Sequence, residues 1–462
     1  MSSSYVLTRW EPENQNFWRT TGARIANRNL WISIPALSLA FCIWMLWSVV
    51  VVNLDKAGFL LSKNQMFWLT ALPALSGATL RIFYSFLVPV FGGRRWTAIS
   101  TATLLIPAIG MGFALRDPTT SYPTLLALAL LCGFGGGNFS SSMANISFFF
   151  PKEKKGFATG MNAGIGNLGV SLVQFVVPVI ITMGVFGTLG GDPQRFVVDG
   201  VEHRIWLQNA GFIWVPIILV SALAAWFGMN DIADARASFA DQAVIFKRKH
   251  NWLMCWLYIG TFGSFIGFSA GFAMLTKALF PGVNPVTYAF LGPLVGSLTR
   301  PLGGWISDKI GGARVTLLVF AGMIGAVLGV LAFVPGQGSA GNFPAFLVMF
   351  IVLFALTGVG NGSTFRMIPV IFLHERTQAA QGQGPQAEKQ AVMDAGKESA
   401  AVLGFSGAIG AYGGFFIPRS FGTSLEMTGS VSAALYCFIA FYVSCLCITW
   451  WYYARRNAPV PC

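Results

Sequence analysis

Long apolar runs, separated by short polar segments, occupy most of the chain. A helix needs about 20 apolar residues to cross the ~30 Å hydrocarbon core of a bilayer, and it tolerates internal Gly and Pro there when neighbouring helices satisfy the backbone. Twelve runs are long enough, at roughly 31–53, 67–90, 96–115, 123–150, 157–183, 210–228, 251–275, 286–306, 313–334, 344–372, 400–422 and 430–454. The pattern predicts an all-α membrane protein with twelve transmembrane helices.

The composition excludes a soluble protein. Of the 462 residues, 55% are hydrophobic and 10% are charged, whereas a soluble domain has about 25% charged residues. The seven cysteines are odd in number and lack the spacing of a zinc site. We therefore expect neither a disulfide framework nor a bound metal or other cofactor.

The basic residues are distributed unevenly between the two sides of the predicted helices. With the N-terminus inside, 20 of the 30 Lys and Arg lie on the cytoplasmic side and seven on the other. The remaining three, Arg81, Arg300 and Arg366, fall within predicted helices. Because cytoplasmic loops carry the basic excess, both termini are predicted to be cytoplasmic. The net charge of +13 is then a topology signal and does not indicate nucleic-acid binding.

An internal repeat divides the chain into two halves. Gly77–Thr97 aligns with Gly296–Thr316 at a constant offset of 219, and Gly137–Ser141 aligns with Gly360–Thr364 at an offset of 223. Transporters built from such repeats bind substrate near the bilayer midplane between the halves. The predicted organisation is a leader at 1–30, a six-helix bundle at 31–229, a linker at 230–250 and a second bundle at 251–462.

The repeat pairs two intramembrane arginines. Arg81 and Arg300 each precede a glycine of the cytoplasmic turn by 11 residues, which is roughly 16 Å of helix and places both near the bilayer centre. A structural ion pair is the alternative to a ligand site, but none of the 17 Asp and Glu lies in the middle of a predicted helix. A guanidinium group offers a planar fork of donors suited to flat oxyanions. The sequence therefore predicts a small anion held between Arg81 and Arg300.

The positions of the titratable residues also indicate how transport is coupled. Proton coupling usually uses an Asp, Glu or His along the pathway, and none lies within the predicted helices. Two like charges that face each other in a low dielectric repel when no anion lies between them. These points favour anion exchange over proton symport, while an anion channel or sensor stays open as an alternative. An enzyme is not expected, because the predicted helices contain no nucleophile–base set and no group of metal ligands.

Other residues have both a structural and a functional interpretation. The glycine-rich runs Gly160–Gly169 and Gly404–Gly414 are typical of close helix packing through small residues. Alternatively, their backbone lines the transport pathway and Asn167 donates a hydrogen bond to the ligand. Tyr258 and Phe262 share one helix face, and Phe139 follows the repeated Gly-Asn pair. Packing in the core is the more common role of such aromatic residues and is the alternative for all three. Arg366 could reach the interface or assist the pathway.

The run Gly304–Arg314, with Asp308, Lys309 and Arg314 in order, resembles the signature loop of the major facilitator superfamily. Further segments resemble bacterial nitrate/nitrite porters of the NarK type: Trp10–Glu13, Arg28–Ser33, Ala144–Pro151, Thr261–Gly267 and the two glycine-rich runs. This resemblance implies the major facilitator fold, with two pseudo-symmetric six-helix bundles.

The resemblance also implies roles for individual residues. The substrate site would comprise Arg81, Arg300, Asn167, Tyr258, Phe139, Phe262 and Phe41. Glycines for gating or helix packing would be Gly164, Gly166, Gly407 and Gly410. Asp308, Lys309 and Arg314 would form a loop that takes part in the conformational change.

The function implied by this family is exchange of nitrate for nitrite across a bacterial cytoplasmic membrane, by rocking of two bundles. Proton-coupled nitrate uptake is the alternative within the same family. The expected partners are nitrate, nitrite and membrane lipid, with a functional link to a nitrate reductase that faces the cytoplasm. A monomeric transport unit is expected.

Overall fold

In a computed structural model, the described residues are 5–198, 200–233, 244–336 and 339–462, without the side chains at positions 85, 86 and 89. Twelve main helices of this part follow the order of the predicted runs. They are α1 Ala23–Trp44, α2 Lys63–Phe91, α3 Gly93–Ala102 continued by Leu105–Ala114, α4 Tyr122–Phe149, α5 Lys152–Ile180, α6 Trp214–Gly228, α7 Lys249–Tyr258 continued by Ser264–Leu279, α8 Leu291–Ile310, α9 Gly312–Phe333, α10 Phe343–Ala380, α11 Pro385–Ala411 continued by Gly413–Thr428, and α12 Ser432–Thr449.

Shorter elements connect or extend these helices. The short α-helices are Gln15–Phe17, Trp47–Val50, Gly187–Gly190, Asn209–Phe212 and Val286–Ala289. Turns of 3-10 helix span Val51–Asn53 and Val244–Lys247, and π-helical turns span Trp18–Gly22, Ile259–Gly263 and Trp450–Ala454. Strand β1 (Val6–Leu7) pairs in parallel with β4 (Asp231–Ile232), and β2 (Gln194–Val198) forms an antiparallel hairpin with β3 (Val201–Ile205).

The lengths and apolar character of these helices confirm an all-α membrane protein. Among the described residues, ten helices are long and apolar enough to span a membrane, or eleven if the bent pair Gln15–Trp44 and Trp47–Asn53 forms one span. Helix α8 corresponds to a predicted span but is not among the helices that are long and apolar enough by this criterion. Its 20 residues include Arg300, Asp308 and Lys309, so three charges lower its mean hydropathy.

Equivalent glycines turn the chain at two places. Gly92 separates α2 from α3 with φ 85° and ψ 148°, and Gly311 separates α8 from α9 with φ 92° and ψ 138°. A positive φ of this size is open to glycine and disfavoured for other residues. The two turns lie 219 residues apart and have the same conformation, so the sequence repeat is also a repeat of local structure.

The described chain forms two compact units. Unit 1 contains the described residues of Met1–Arg236 and of Ser269–Leu294, and unit 2 contains those of Ala237–Phe268 and of Val295–Cys462. Helix α7 is therefore divided between the two units, with its residues up to Phe268 in unit 2 and those from Ser269 in unit 1.

In unit 1, close contacts between small residues hold the helices together. A Cβ atom added to Gly136 of α4 would lie 2.7 Å from the Cα atom of Gly77 in α2. A Cβ atom on Gly169 of α5 would lie 2.1 Å from the carbonyl oxygen of Ser38 in α1. Small residues at such crossings allow membrane helices to pack backbone against backbone.

Unit 2 is packed in the same manner. A Cβ atom on Gly413 of α11 would lie 2.4 Å from the Cα atom of Gly263, in the π-helical turn of α7. In α10, a Cβ atom on Gly358 would lie 2.2 Å from the carbonyl oxygen of Gly296 in α8. These crossings position the neighbouring Tyr258 and Arg300.

The leader is folded against unit 1. The Nε1 atom of Trp10 donates to the carbonyl oxygen of Phe148 at the end of α4. The Glu13 carboxylate accepts the backbone N–H of Lys152 at the first residue of α5, where an acidic group is favourable. The leader therefore reaches the ends of α4 and α5 in addition to its pairing with β4.

Candidate functional site

Arg81 lies on α2 and its side chain is fully buried. Its Nε atom donates to the carbonyl oxygen of Gly136 over 2.7 Å. The guanidinium carbon lies 4.8 Å from the ring centre of Trp44 and 4.7 Å from that of Phe139. Cation–π attraction of this kind stabilises a desolvated cation, so two aromatic rings and one carbonyl group orient the guanidinium group.

The helix crossing described above explains this geometry. Because Gly77 and Gly136 bring α2 and α4 together, the Gly136 carbonyl group comes within hydrogen-bond distance of Arg81. The indole Nε1 atom of Trp44 donates to the carbonyl oxygen of Pro73 over 2.7 Å, which fixes one of the two rings. A side chain larger than hydrogen at Gly136 would separate the helices.

Phe41 lies near this group in unit 1, and Asn167 lies on a helix that packs against α1. The Phe41 ring is 6.1 Å from the Phe139 ring in an edge-on arrangement, and 5.6 Å from the Trp44 ring. Asn167 lies on α5, two residues before Gly169, which packs against α1. Its Oδ1 atom is buried and has no hydrogen-bond partner among the described residues. Unit 1 therefore brings Arg81, Phe139 and Phe41 together, with Asn167 on the adjoining helix.

Arg300 lies on α8 and is 8% exposed. Its guanidinium carbon lies 5.3 Å from the ring centre of Phe365 on α10. In the part of the chain that the structure describes, Arg300 forms no ion pair, and its buried Nη1 atom has no hydrogen-bond partner. A buried charged donor in this state is costly, so it is a candidate for binding an anion.

Tyr258 and Phe262 extend the aromatic surface in unit 2. Their rings stack at 5.3 Å with an interplanar angle of 20°, and the Tyr258 ring lies 6.2 Å from Phe365. Both residues are buried. The π-helical turn Ile259–Gly263 lies in this region, and such turns are frequent at functional sites. Unit 2 thus connects Arg300, Phe365, Tyr258 and Phe262.

The four glycines of the prediction lie in different surroundings. A Cβ atom on Gly166 would lie 2.7 Å from Leu37, and one on Gly410 would lie 2.7 Å from the ring of Tyr258. A Cβ atom on Gly164 would meet no atom within 4 Å, which means that open space faces this position. Gly407 is buried on α11. Their part in gating stays a prediction.

The charged loop predicted between α8 and α9 is mostly helical. Asp308 and Lys309 belong to the last turn of α8, and Gly311 alone makes the turn, with Arg314 exposed at the start of α9. The Lys309 ammonium group lies 3.7 Å from the ring centre of Trp305. Arg366 of α10 forms an ion pair with Asp308, a partner that the sequence analysis did not foresee.

A buried charge cluster lies in unit 2. Glu398 of α11 is 5% exposed and forms ion pairs with Arg248, over 3.1 Å, and with Arg376. Glu398 precedes the predicted run at 400–422, whereas α11 begins at Pro385 and encloses it. Each oxygen of Glu398 accepts from a guanidinium group, so this carboxylate serves the local structure.

Two aromatic residues that contact the arginines were missed by sequence reasoning. Trp44 lies three residues after Phe41 on α1, and this helical spacing could have indicated a shared face. Phe365 directly precedes Arg366 and has no aromatic counterpart in the other half of the repeat, where Ser142 stands. No sequence signal separated Phe365 from the other 40 phenylalanines.

Comparisons with known proteins give a consistent result. The family model of the Major Facilitator Superfamily matches residues 33–384. The chain is 54% identical to the nitrate/nitrite transporter NarU of Escherichia coli (strain K12), over 99% of this chain and 98% of that protein. It is 44% identical to the probable nitrate/nitrite antiporter NarK2 of Thermus thermophilus, over 99% and 98% of the two chains.

A solved structure shows the same fold at low sequence identity. The crystal structure of a bacterial homolog to the human lysosomal transporter Spinster, in an inward-facing and occupied conformation, matches with a TM-score of 0.53 and 14% identity. The match covers 90% of this chain and 95% of that one. The predicted absence of an enzymatic role agrees with a family of transporters. The chain therefore belongs to the major facilitator superfamily and, within it, to the nitrate/nitrite porters of the NarK type.

Proposed function

We propose that this protein exchanges nitrate for nitrite across a membrane by alternating access of its two halves. Support comes from relatives named a nitrate/nitrite transporter, at 54% identity, and a probable nitrate/nitrite antiporter, at 44% identity. Both comparisons cover nearly the whole chain.

The observation that carries the proposal is the state of Arg300. This guanidinium group is buried and has no counter-ion among the described residues. An arginine inside a membrane protein costs at least about 2.5–3.5 kcal/mol at the bilayer centre. A bound anion would offset this cost, because a charge-assisted hydrogen bond is roughly twice as strong as a neutral one.

The surroundings of both arginines suit a small planar anion. Phe139 contacts Arg81 in unit 1, while Tyr258 and Phe262 stack beside Phe365 in unit 2. The rings shield the guanidinium groups from water, and the guanidinium fork can donate two parallel hydrogen bonds to a flat oxyanion. Nitrate has three oxygen atoms in one plane and nitrite has two, so either anion can accept both hydrogen bonds of the fork.

The repeat supports a single site formed from both halves. Arg81 and Arg300 occupy equivalent positions, 11 residues before the equivalent turns at Gly92 and Gly311. Two cations without an anion between them would repel each other in a low dielectric. The halves would then change conformation readily only when an anion is bound, which makes the exchange obligatory.

The proposal includes the setting of the protein. The basic excess on one side supports cytoplasmic termini, and the relatives support a bacterial cytoplasmic membrane. Nitrate would enter as nitrite leaves, which would link transport to a nitrate reductase facing the cytoplasm. One chain carries both arginines, so a monomer would be a sufficient transport unit.

Proteoliposomes test the exchange mode directly. We expect labelled nitrate to enter vesicles loaded with nitrite and to enter empty vesicles slowly, whether or not a pH gradient is imposed. Uptake into empty vesicles that follows the pH gradient would contradict exchange and support proton symport. Unitary currents in a voltage-clamped bilayer, without any counter-substrate, would instead support a channel.

A further inference from the structure

One face of α5 changes from open to covered along its length. Gly160, Gly164, Asn167, Ser171 and Gln174 recur at intervals of three or four residues, so they share a face. Gly160 is exposed, Gly164 is half-buried, and the three polar residues are buried. A Cβ atom on either glycine would meet no atom within 4 Å. The face is therefore open near the start of α5 and covered near its end.

The cover is the stretch Ser269–Leu294, which we call the covering segment and which packs within unit 1. The Gln174 amide Nε2 atom donates to the carbonyl oxygen of Ser269 over 2.8 Å. The Ser171 hydroxyl group donates to the carbonyl oxygen of Phe290 over 3.0 Å. Two side-chain donors of the polar face are thus held by neutral backbone acceptors.

The covering segment has a second attachment in unit 1. The Lys277 ammonium group donates to the carbonyl oxygen of Val52 over 2.7 Å and forms an ion pair with Asp55, also at 2.7 Å. The adjacent Lys56 lies 5.8 Å from the ring centre of Phe196 in the β2–β3 hairpin. This attachment is therefore on the side of unit 1 that carries the hairpin, which we call the hairpin face.

The donors of this face are specific to the first half of the chain. When Gly160–Gly169 is aligned with Gly404–Gly413, Ser171 corresponds to Phe415 and Gln174 to Pro418. Neither counterpart has a side-chain donor. The hydroxyl and amide groups are therefore not a packing feature that both halves require.

We propose that Ser171 and Gln174 form a second binding position for the small planar anion, occupied when the covering segment leaves α5. The two side chains would then donate hydrogen bonds to oxygen atoms of the anion instead of to backbone carbonyl oxygens. Ser171 and Gln174 lie four and seven residues beyond Asn167, which is about 6 and 10 Å along the helix. An anion would therefore pass from the hairpin face to the arginines in short steps. This inference rests on the proposed function.

The structure supports a weak, reversible position of this kind. Both donors are neutral, so they can bind an anion without the strong attraction of a buried cation. The Oε1 atom of Gln174 is buried and has no hydrogen-bond partner among the described residues, while its Nε2 atom also contacts the Ser48 hydroxyl group over 2.9 Å. Both N–H groups of the amide are thus engaged in the covered state, and the N–H group that donates to Ser269 becomes available when the covering segment leaves.

The test uses Gln174→Met, which keeps the length of the side chain and removes its donor. Nitrate transport by the full-length protein would be measured in right-side-out and inside-out membrane vesicles loaded with nitrite. We expect the KM for nitrate arriving at the hairpin face to rise about fivefold, as expected for one lost hydrogen bond. The KM at the opposite face should stay near that of the wild type. Ser171→Ala should have the same effect in weaker form.

A purely mechanical role for these contacts predicts the opposite sign. If Gln174 only holds the cover in place, Gln174→Met favours opening, and the KM at the hairpin face falls or stays unchanged. Lys277→Met is the matched control, because it removes an attachment of the covering segment and leaves α5 intact. A rise in KM at the hairpin face caused equally by Lys277→Met would overturn the proposal, as would an unchanged KM for Gln174→Met.

The wild-type protein in the same vesicles separates this inference from the proposed function. If the wild type does not exchange nitrate for nitrite, the proposed function itself fails. If the wild type exchanges and Gln174→Met has wild-type KM values at both faces, only the second position is refuted. Thermal unfolding of each purified variant shows whether it folds. If Gln174→Met does not fold, Ser171→Ala tests the same proposal.

Discussion

At the scale of single residues, the guanidinium groups of the candidate site lie against aromatic rings. Arg81 contacts Trp44 and Phe139, and Arg300 contacts Phe365. Aromatic rings stabilise a cation through the negative potential of their faces without neutralising it. Each cation can therefore be buried and still attract an anion, which a carboxylate partner would prevent.

Replacing either arginine with lysine tests this interpretation. Arg300→Lys keeps the positive charge and removes the planar fork. A lost hydrogen bond to a charged group is worth about 1.5–3 kcal/mol, so the initial rate of nitrate–nitrite exchange at subsaturating nitrate should fall about 10- to 100-fold. Arg81→Lys should have a similar effect, and it also removes a planar group from between Trp44 and Phe139.

The matched control is Arg456→Lys, at an exposed arginine of the C-terminal tail, for which we expect wild-type exchange. Transport assays in proteoliposomes, with equal amounts of folded protein, make the comparison. Wild-type rates for both Arg81→Lys and Arg300→Lys would remove the two arginines from the substrate pathway.

The sequence allowed the arginines to be predicted but not their aromatic neighbours. An arginine within an apolar run is easily recognised because burying it in a membrane is costly. The internal repeat also placed Arg81 and Arg300 at equivalent positions. Aromatic residues carry no such signal in a chain with 41 Phe and 15 Trp, because most of them fill the core or face lipid. Trp44 and Phe365 became identifiable only when the helix crossings placed their rings beside a guanidinium group.

At the scale of elements, glycines decide which helices approach each other. The face of α5 that contains Gly169 packs against the Ser38 carbonyl group of α1, while Gly164, five residues earlier, faces open space. Backbone atoms cannot move aside as a flexible side chain can. The same substitution should therefore have opposite consequences at these two positions.

We expect Gly169→Ala to destabilise the protein and Gly164→Ala to leave its stability unchanged. The added methyl group at position 169 would lie 2.1 Å from the Ser38 carbonyl oxygen, and overpacking of this kind typically costs about 1–3 kcal/mol. Thermal unfolding of the purified variants in one detergent measures the difference. Equal unfolding temperatures for the two variants would show that α5 is not packed on α1 as the structure has it.

Helix positions were predictable from apolar runs, whereas helix ends and small strands were not. The runs predicted at 344–372 and 400–422 became α10, Phe343–Ala380, and the longer α11, Pro385–Ala411 with Gly413–Thr428. Their additional turns are polar and are stabilised by contacts such as Glu398 with Arg248, which join residues far apart in sequence. The β1–β4 pair likewise joins the leader to Asp231–Ile232, and two residues are too few for a strand pattern.

At the scale of the whole molecule, the proposed exchange has a consequence for the charge that crosses the membrane. A monovalent anion that moves in one direction carries one negative charge across the membrane. In an exchange, a second anion returns through the same site, so a complete cycle of nitrate against nitrite moves no net charge. A membrane potential would then not drive net exchange, whereas a channel for one anion would respond with the full elementary charge.

This difference gives a prediction for the intact transporter. We expect nitrate accumulation in nitrite-loaded proteoliposomes to be unchanged when a potassium diffusion potential is imposed with valinomycin. A potential of about 100 mV is worth ~2.3 kcal/mol for one elementary charge, which would change the equilibrium distribution through a channel about 50-fold. A proton symporter with one proton per nitrate is also electroneutral, so the pH gradient must be varied independently of the potential. Accumulation that follows the membrane potential would contradict electroneutral exchange. Electroneutral exchange instead predicts accumulation that requires internal nitrite and does not change with the potential or with the pH gradient.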